Sequence, residues 1–167
     1  MDCFCSNGYQ CKNCKNNIID IVKGINEPDD RFNKITILCI NQNNIGIIKN
    51  LPNNLNSLEC DRCNLTELPK FPKSVTEIFC PDNNLTELPD LRYLSNLKIL
   101  TCFCNNIKEI TNLPDSLEYL DCSSNELESF PQITENMKKI EISGNNVKSL
   151  LRDLARRNNT SGLKIVI

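Results

Sequence analysis

The chain has 167 residues, enough for one domain with a substantial core, and a formal net charge of −2. This charge argues against a broad nucleic-acid interface, which would require clustered basic residues. Histidine is absent, which excludes Ser-His-Asp and Cys-His catalysis and every metal site that contains histidine. No run approaches 18 apolar residues and the N-terminus lacks a signal-peptide pattern, so we expect a cytoplasmic protein without a membrane span.

Residues 1–16 form a cysteine-rich segment with the pattern C-x-C-x5-C-x2-C, made by Cys3, Cys5, Cys11 and Cys14. Four thiolates suit the tetrahedral preference of Zn²⁺, and the C-x2-C half has the usual chelate spacing, so we predict one structural zinc ion here. The C-x-C half is tighter than that spacing. Two disulfides and four free thiols are the alternatives, although the odd total of 11 cysteines favours reduced thiols elsewhere in the chain.

Residues 17–34 are predicted to cap the N-terminal end of the domain with a short helix. Four apolar residues recur at helical spacing: Ile18, Ile21, Val22 and Ile25. Pro28 would end that helix. A cap is expected here because the repeats described next would stack into an open solenoid, which exposes the apolar end of its first coil. A strand is the alternative, since β-branched residues dominate this stretch.

A repeated frame, L-x-x-L-x-C-x-x-N-x-L-x-x-L, begins at residues 55, 75, 97, 117 and 137, and a looser copy begins at residue 35. Successive starts are 20, 20, 22, 20 and 20 residues apart. We therefore assign six repeats to residues 35–148. Frame positions 3 to 6 should form a short strand in each copy, and these strands should stack into one parallel sheet. Position 6 is cysteine in four copies, which are predicted to be buried and reduced: Cys60, Cys80, Cys102 and Cys122.

The frame and its period resemble leucine-rich repeats. Return segments such as L-P-K-F-P-K-S-V, residues 68–75, are similar to the short repeats of secreted bacterial effectors and of giant-virus leucine-rich repeat proteins. The resemblance implies an α/β-type right-handed superhelical solenoid with short parallel strands on its concave face. The prolines predict an extended, polyproline-like convex side, with helices only at the two ends. One short helical turn is expected at residues 90–96, where the third copy has two extra residues.

Frame position 9 carries a polar ladder: Asn43, Cys63, Asn83, Asn105, Asn125 and Asn145. In the repeat family that the sequence resembles, this asparagine binds backbone groups of the turn after the strand, in its own coil and in the neighbouring one. We therefore interpret the ladder as structural rather than functional. Cys63 offers a weaker donor, so its rung is predicted to be the loosest.

Frame positions 3, 5, 7 and 8 should form the open face of the sheet. Four apolar residues fall there on three adjacent coils: Phe79, Ile99, Phe103 and Tyr119. Acidic residues accompany them: Glu59, Asp61, Glu77, Asp82, Asp121 and Glu141. Exposed apolar clusters with aromatic residues mark partner surfaces, so we predict a site here for a protein or peptide with basic and apolar character. The alternative is that isolated exposed apolar residues are ordinary, or that terminal regions fold over this face.

Residues 149–167 are predicted to form a C-terminal cap helix followed by a final strand. The Cys80-Pro81-Asp82 triplet matches the C-x-D motif of the ligase domain found in the bacterial effectors, but the frame places Cys80 at a core position and these 167 residues do not contain a sequence of that domain. No phosphate-binding glycine motif is present either, so we do not expect an enzyme. The main hypothesis is a monomeric protein-interaction module that needs no cofactor in its repeats. The alternative is an adaptor or metal-sensing module whose N-terminal cysteines carry the activity while the repeats act as a scaffold.

Overall fold

The computed structural model describes residues 32–41, 44–146 and 162–167. A 3-10 helix, Phe32–Lys34, precedes the first strand. Seven strands of three residues follow: β1 (Ile37–Cys39), β2 (Ser57–Glu59), β3 (Glu77–Phe79), β4 (Ile99–Thr101), β5 (Tyr119–Asp121), β6 (Lys139–Glu141) and β7 (Lys164–Val166). They form a single sheet in sequence order, and every neighbouring pair is parallel. The predicted parallel solenoid is confirmed.

The register of the sheet follows the sequence frame. Leu38 pairs with Leu58, Leu58 with Ile78, and Ile78 with Leu100, so equivalent frame positions lie side by side. Because side chains alternate along a strand, the central residue of each repeat strand points into the core, and none of these six residues is more than 2% exposed. The core is therefore a stack of columns, with one apolar residue from each coil in every column.

The position-6 column shows how the coils fit together. Its six members are at most 1% exposed: Ile40, Cys60, Cys80, Cys102, Cys122 and Ile142. The four cysteines are free thiols, as predicted. The sulfur atoms of Cys60, Cys80 and Cys122 lie 3.4 to 3.5 Å from a carbonyl oxygen of the next coil. Burial raises the pKa of all four thiols, so these thiols stay protonated and act as small core residues.

The two extra residues of the third coil form turns instead of the predicted helical turn. The amide of Leu94 bonds to the carbonyl of Leu91 at 2.9 Å, and the amide of Leu97 bonds to the carbonyl of Leu94 at 3.0 Å. The hydroxyl of Tyr93 donates to the carbonyl of Phe71 at 3.1 Å and accepts from the Phe71 amide at 3.0 Å. A side chain thus satisfies the backbone of the neighbouring coil where the longer loop departs from the common path.

A tight turn with left-handed backbone geometry follows β2 to β6. Frame position 8 has φ between 52° and 72° in five consecutive coils: Arg62, Asp82, Cys104, Ser124 and Gly144. Only the last is glycine, so the other coils hold a side chain in a conformation that costs free energy. A Cβ atom on Gly144 would lie 2.8 Å from the Oγ and 3.1 Å from the Cα of Ser124. This coil therefore favours glycine mainly for space, since the other coils hold larger residues at a similar φ.

Candidate partner-binding site

The asparagine ladder holds the turns that border the open face. Oδ1 of Asn83 accepts a hydrogen bond from the amide of Leu65 in the preceding coil at 3.0 Å. Its Nδ2 lies 2.8 Å from the carbonyl oxygen of Cys60, 3.2 Å from that of Cys80 and 3.0 Å from that of Pro81. Three further members repeat this pattern: Asn105, Asn125 and Asn145. Each asparagine therefore ties two coils together, which is the predicted structural role. Asn43 lies outside the described residues.

Cys63, the cysteine member of the ladder, contacts the backbone of two coils through its sulfur atom and its own backbone carbonyl. The sulfur of Cys63 lies 2.9 Å from the carbonyl oxygen of Ile40 and 3.4 Å from that of Asp61, which reproduces two of the acceptor positions of an asparagine. A thiol offers no amide oxygen, and the amides of Ile45 and Gly46 bond instead to the backbone carbonyl of Cys63, at 3.1 and 3.0 Å. The prediction that this rung is the loosest is not tested by these distances and stays a prediction.

The structure places the eight principal residues of the predicted binding site on or beside the strands. Six lie in strands β2 to β5: Glu59, Glu77, Phe79, Ile99, Tyr119 and Asp121. Asp61 and Phe103 each follow a strand by two residues. All eight are partly exposed. Thr101, between them in β4, is only 8% exposed, so this short side chain forms the floor of the face. No strand or helix of the described residues packs across the face.

Phe79, Ile99 and Phe103 form what we call the apolar strip. Phe79 belongs to β3 and Ile99 to β4, and the register brings the two strands side by side, with Phe79 opposite Thr101. Phe103 belongs to the same coil as Ile99 and lies just beyond the strand. The strip therefore occupies two neighbouring coils in the middle of the sheet.

Tyr119 differs from the residues of the apolar strip because its hydroxyl and its ring both contact charged side chains. Its hydroxyl donates to Oε1 of Glu141 at 2.6 Å, and Nζ of Lys139 donates to the same oxygen at 2.6 Å. That ammonium also lies 5.1 Å from the centre of the Tyr119 ring, a cation–π distance. Partial burial and the bond to Glu141 raise the pKa of the tyrosine, whereas Lys139 and Tyr119 lower the pKa of Glu141. Lys139 was missed by sequence reasoning, although its two-residue spacing from Glu141 on one strand was a signal.

The acidic residues of the second and third coils are less well compensated. Arg62 bridges two carboxylates, with its guanidinium 3.3 Å from Oδ2 of Asp61 and 3.4 Å from Oδ2 of Asp82. The other oxygen of Asp61, Oδ1, is buried and receives no hydrogen bond. Burial raises the pKa of Asp61, and Asp82 raises it further against the opposing effect of Arg62. Glu59 and Glu77, within the part of the chain that the structure describes, form no ion pair. This end of the face therefore carries excess negative charge.

The structure does not test the predicted N-terminal zinc site. Cys3, Cys5, Cys11 and Cys14 lie outside the described residues, as do residues 17–31 of the predicted N-terminal cap (17–34) and residues 149–161 of the predicted C-terminal cap (149–167). In the part of the chain that is described, no group of three or more cysteine or acidic side chains could hold a metal ion. Nor does this part contain a helix with the length and apolar character needed to cross a membrane. The zinc ion and the metal-sensing hypothesis remain predictions that metal analysis of the purified protein would test.

Comparison with solved structures bears directly on this architecture. The leucine-rich repeat domain of a Shigella effector superposes with a TM-score of 0.59 over 91% of this chain and 88% of that chain, at 18% sequence identity. The fold is a leucine-rich repeat solenoid. The leucine-rich effector protein YopM is also similar, in structures from Yersinia enterocolitica and Yersinia pestis. Their TM-scores are 0.43 and 0.45, their identities 22% and 20%, and they cover 96% and 81% of this chain but 41% and 54% of their own.

No protein-family model and no curated protein sequence matches the chain. At 18% identity the likeness to the Shigella domain concerns the fold alone. A leucine-rich repeat solenoid leaves one face of its sheet open, and a fold does not by itself specify a function.

Proposed function

We propose that this leucine-rich repeat chain is a non-enzymatic, monomeric, cytoplasmic protein-interaction module that binds a protein or peptide on its concave sheet face. The supporting observation is the apolar strip of Phe79, Ile99 and Phe103, which is half-buried and lies on a face that no described element covers. Nothing in the repeat fold requires apolar residues at these outward positions. A partner that desolvates them gains free energy in proportion to the apolar area that it covers.

The size of the face suits a polypeptide partner. Seven strands at the usual separation of about 4.8 Å extend over roughly 29 Å. Such a face accommodates an extended segment or one side of a small domain. Aromatic anchors at the centre of an interface commonly contribute about 2 kcal/mol or more each, and Phe79 and Phe103 are placed to act in this way.

The chemistry of the cysteines supports a non-enzymatic role. Cys80 of the C-x-D triplet is fully buried, and burial raises its pKa. A thiol is a nucleophile only when it ionises and is accessible. Cys80 therefore has the properties of a core residue and not those of a catalytic nucleophile.

Matched alanine substitutions test the proposal. Ile99→Ala and Phe103→Ala remove parts of the apolar strip, whereas Ile47→Ala removes an apolar side chain that is 44% exposed and belongs to the opposite side of a coil. Partners captured by the wild-type chain would be identified by mass spectrometry and their affinities measured with purified proteins. We expect the two strip variants to lose at least about 2 kcal/mol of binding free energy, while Ile47→Ala binds like the wild type.

Thermal unfolding of each variant completes the test. Substitutions of partly exposed residues usually change stability little, so we expect nearly unchanged melting temperatures. Unfolding of Phe103→Ala would show that Phe103 belongs to the core. Wild-type affinity in both folded strip variants would show that the partner binds elsewhere.

A further inference from the structure

Charge is unevenly distributed along the open face. On the second and third coils, four carboxylates accompany a single guanidinium: Glu59, Asp61, Glu77, Asp82 and Arg62. At the other end, two carboxylates accompany two ammonium groups: Asp121, Glu141, Lys139 and Lys164. Lys164 of β7 lies next to Lys139 in the register, and both lower the pKa of Glu141. Negative charge is therefore in excess at one end and balanced at the other.

Asp61 is an acidic residue of the face with a donor at only one of its two carboxylate oxygens. One of its oxygens is bound by Arg62, which it shares with Asp82. The other is buried and accepts no hydrogen bond, so the accessible part of this site is the pair of partly exposed carboxylates that share one guanidinium. The apolar strip begins on the adjacent coil with Phe79. A ligand that spans both features would place a second cation beside these two carboxylates and cover apolar surface at the same time.

We propose that the partner presents an extended segment with an arginine or lysine and, two to four residues away, a large apolar side chain. The basic residue docks at Asp61 and Asp82, and the apolar side chain docks on the apolar strip. This inference rests on the proposed function. The spacing follows from the coils. The coil of Asp61 and the coil of Phe103 are two strand separations apart, about 10 Å, and three residues of extended chain span about the same distance. The segment lies across the strands, with its basic residue towards β2.

The balanced end of the face supports this placement. Lys139 binds Glu141 at 2.6 Å and lies over the ring of Tyr119, so the carboxylate of Glu141 already has its cation. Asp121 accepts a hydrogen bond from the amide of Ser123 at 3.0 Å. A basic group gains less from these two carboxylates than from Asp61, because Lys139 already pairs with Glu141 and a backbone amide already bonds to Asp121.

A displayed library of random peptides of about seven residues, roughly 23 Å long when extended, tests the inference. The baits are the full wild-type chain, Asp61→Asn and the control Glu67→Gln, which removes an exposed charge from the same coil away from the sheet. Wild type and Glu67→Gln should enrich peptides with arginine or lysine two to four positions from an aromatic or large aliphatic residue. Asp61→Asn should lose the basic preference, and the affinity of a peptide selected on the wild type should fall at least tenfold.

Each outcome separates this inference from the proposed function. Enrichment of apolar peptides without a basic preference, or a preference that persists in Asp61→Asn, overturns the inference and leaves the binding face intact. If no peptides are enriched, or if enrichment survives in both Ile99→Ala and Phe103→Ala, the inference and the proposed function are overturned together. Asp61→Asn should fold at least as well as the wild type because it removes a poorly solvated charge. If it does not fold, Asp82→Asn removes the neighbouring charge and gives the same test.

Discussion

The hydrogen bonds of the asparagine ladder allow us to predict how much stability a substitution at Asn105 removes. Its Oδ1 accepts a hydrogen bond from the Leu85 amide at 3.0 Å, and no other described residue accepts from that amide. Its Nδ2 lies 3.1 Å from the carbonyl oxygens of both Cys80 and Cys102 and 3.3 Å from that of Phe103. Asn105→Ala removes all four contacts, so the size of the effect depends on which of these backbone groups keep another partner.

Of these four backbone groups, only the amide of Leu85 is left without another hydrogen-bond partner among the described residues. The carbonyl of Cys80 still accepts from Asn83 at 3.2 Å, the carbonyl of Cys102 from Asn125 at 3.0 Å, and that of Phe103 from the amide of Asp82 at 3.0 Å. A buried donor without a partner costs about 1–3 kcal/mol. With a smaller loss at the three carbonyls, we expect Asn105→Ala to lower the free energy of unfolding by about 2–4 kcal/mol.

The chain supplies its own control at Cys63. There the thiol lies 2.9 Å from the carbonyl oxygen of Ile40 in the preceding coil, a contact that a cysteine can make and an alanine cannot. Asn105→Cys should therefore cost at least about 1 kcal/mol less than Asn105→Ala in urea unfolding. Hydrogen exchange of the Leu85 amide should accelerate in the alanine variant, while the Ile107 amide, bound to Asn125 at 3.0 Å, keeps its protection. Equal losses for the two variants, or an unchanged Leu85 amide, would refute this account of the ladder.

Three further predictions concern space, charge and thiol access. Gly144→Ala should lose at least about 1 kcal/mol more stability than Gly46→Ala in urea, because both have φ +72° but only Gly144 has a close neighbour; equal losses would mean that this neighbour moves freely. Asp61→Asn should raise stability at pH 7, since the raised pKa of Asp61 makes its charge unfavourable above the folded-state pKa. This gain should shrink as the pH falls towards the unfolded-state pKa of about 3.9 and vanish below about pH 3, where the carboxyl is largely neutral in both states. A gain that persists there would contradict a raised pKa of Asp61. Iodoacetamide should label exposed Cys104 in the native protein and buried Cys102 only after unfolding, so peptide mapping that finds equal labelling of both would count against the buried column.

The sequence predicts the sheet well because its period is long and nearly unbroken. A spacing of 20 residues brings equivalent positions side by side, so the pairing of Leu100 with Leu120 follows from alignment of the frame alone. The departures occur where the frame does not determine the backbone. The loop at residues 90–96 forms turns instead of a helix, and Tyr93 in this loop bonds to the amide and carbonyl of Phe71, a contact 22 residues away that no local pattern reveals.

The candidate site is predictable in its location and less so in its charges. The frame shows which side chains share a face, and the placement of Phe79, Ile99 and Phe103 follows from it. It does not show which rotamer a long side chain adopts. Lys139 could reach several acceptors and binds Glu141, while Arg62 lies between two aspartates. These choices decide where the face is neutral and where it is acidic, and they depend on three-dimensional distances of a few ångströms.

The buried cysteine column also determines how reversibly this protein unfolds. In the folded chain the four thiols have raised pKa values and cannot approach solvent oxidants. Unfolding returns each thiol to its ordinary acidity, near 8.5, and brings reactive thiolates together on one flexible chain. Disulfides formed in that state hold apart segments that must stack in register, and so block refolding. The half-life of the protein under oxidising conditions is thus set by its unfolding rate rather than by its equilibrium stability, whereas a reducing environment restores reversibility.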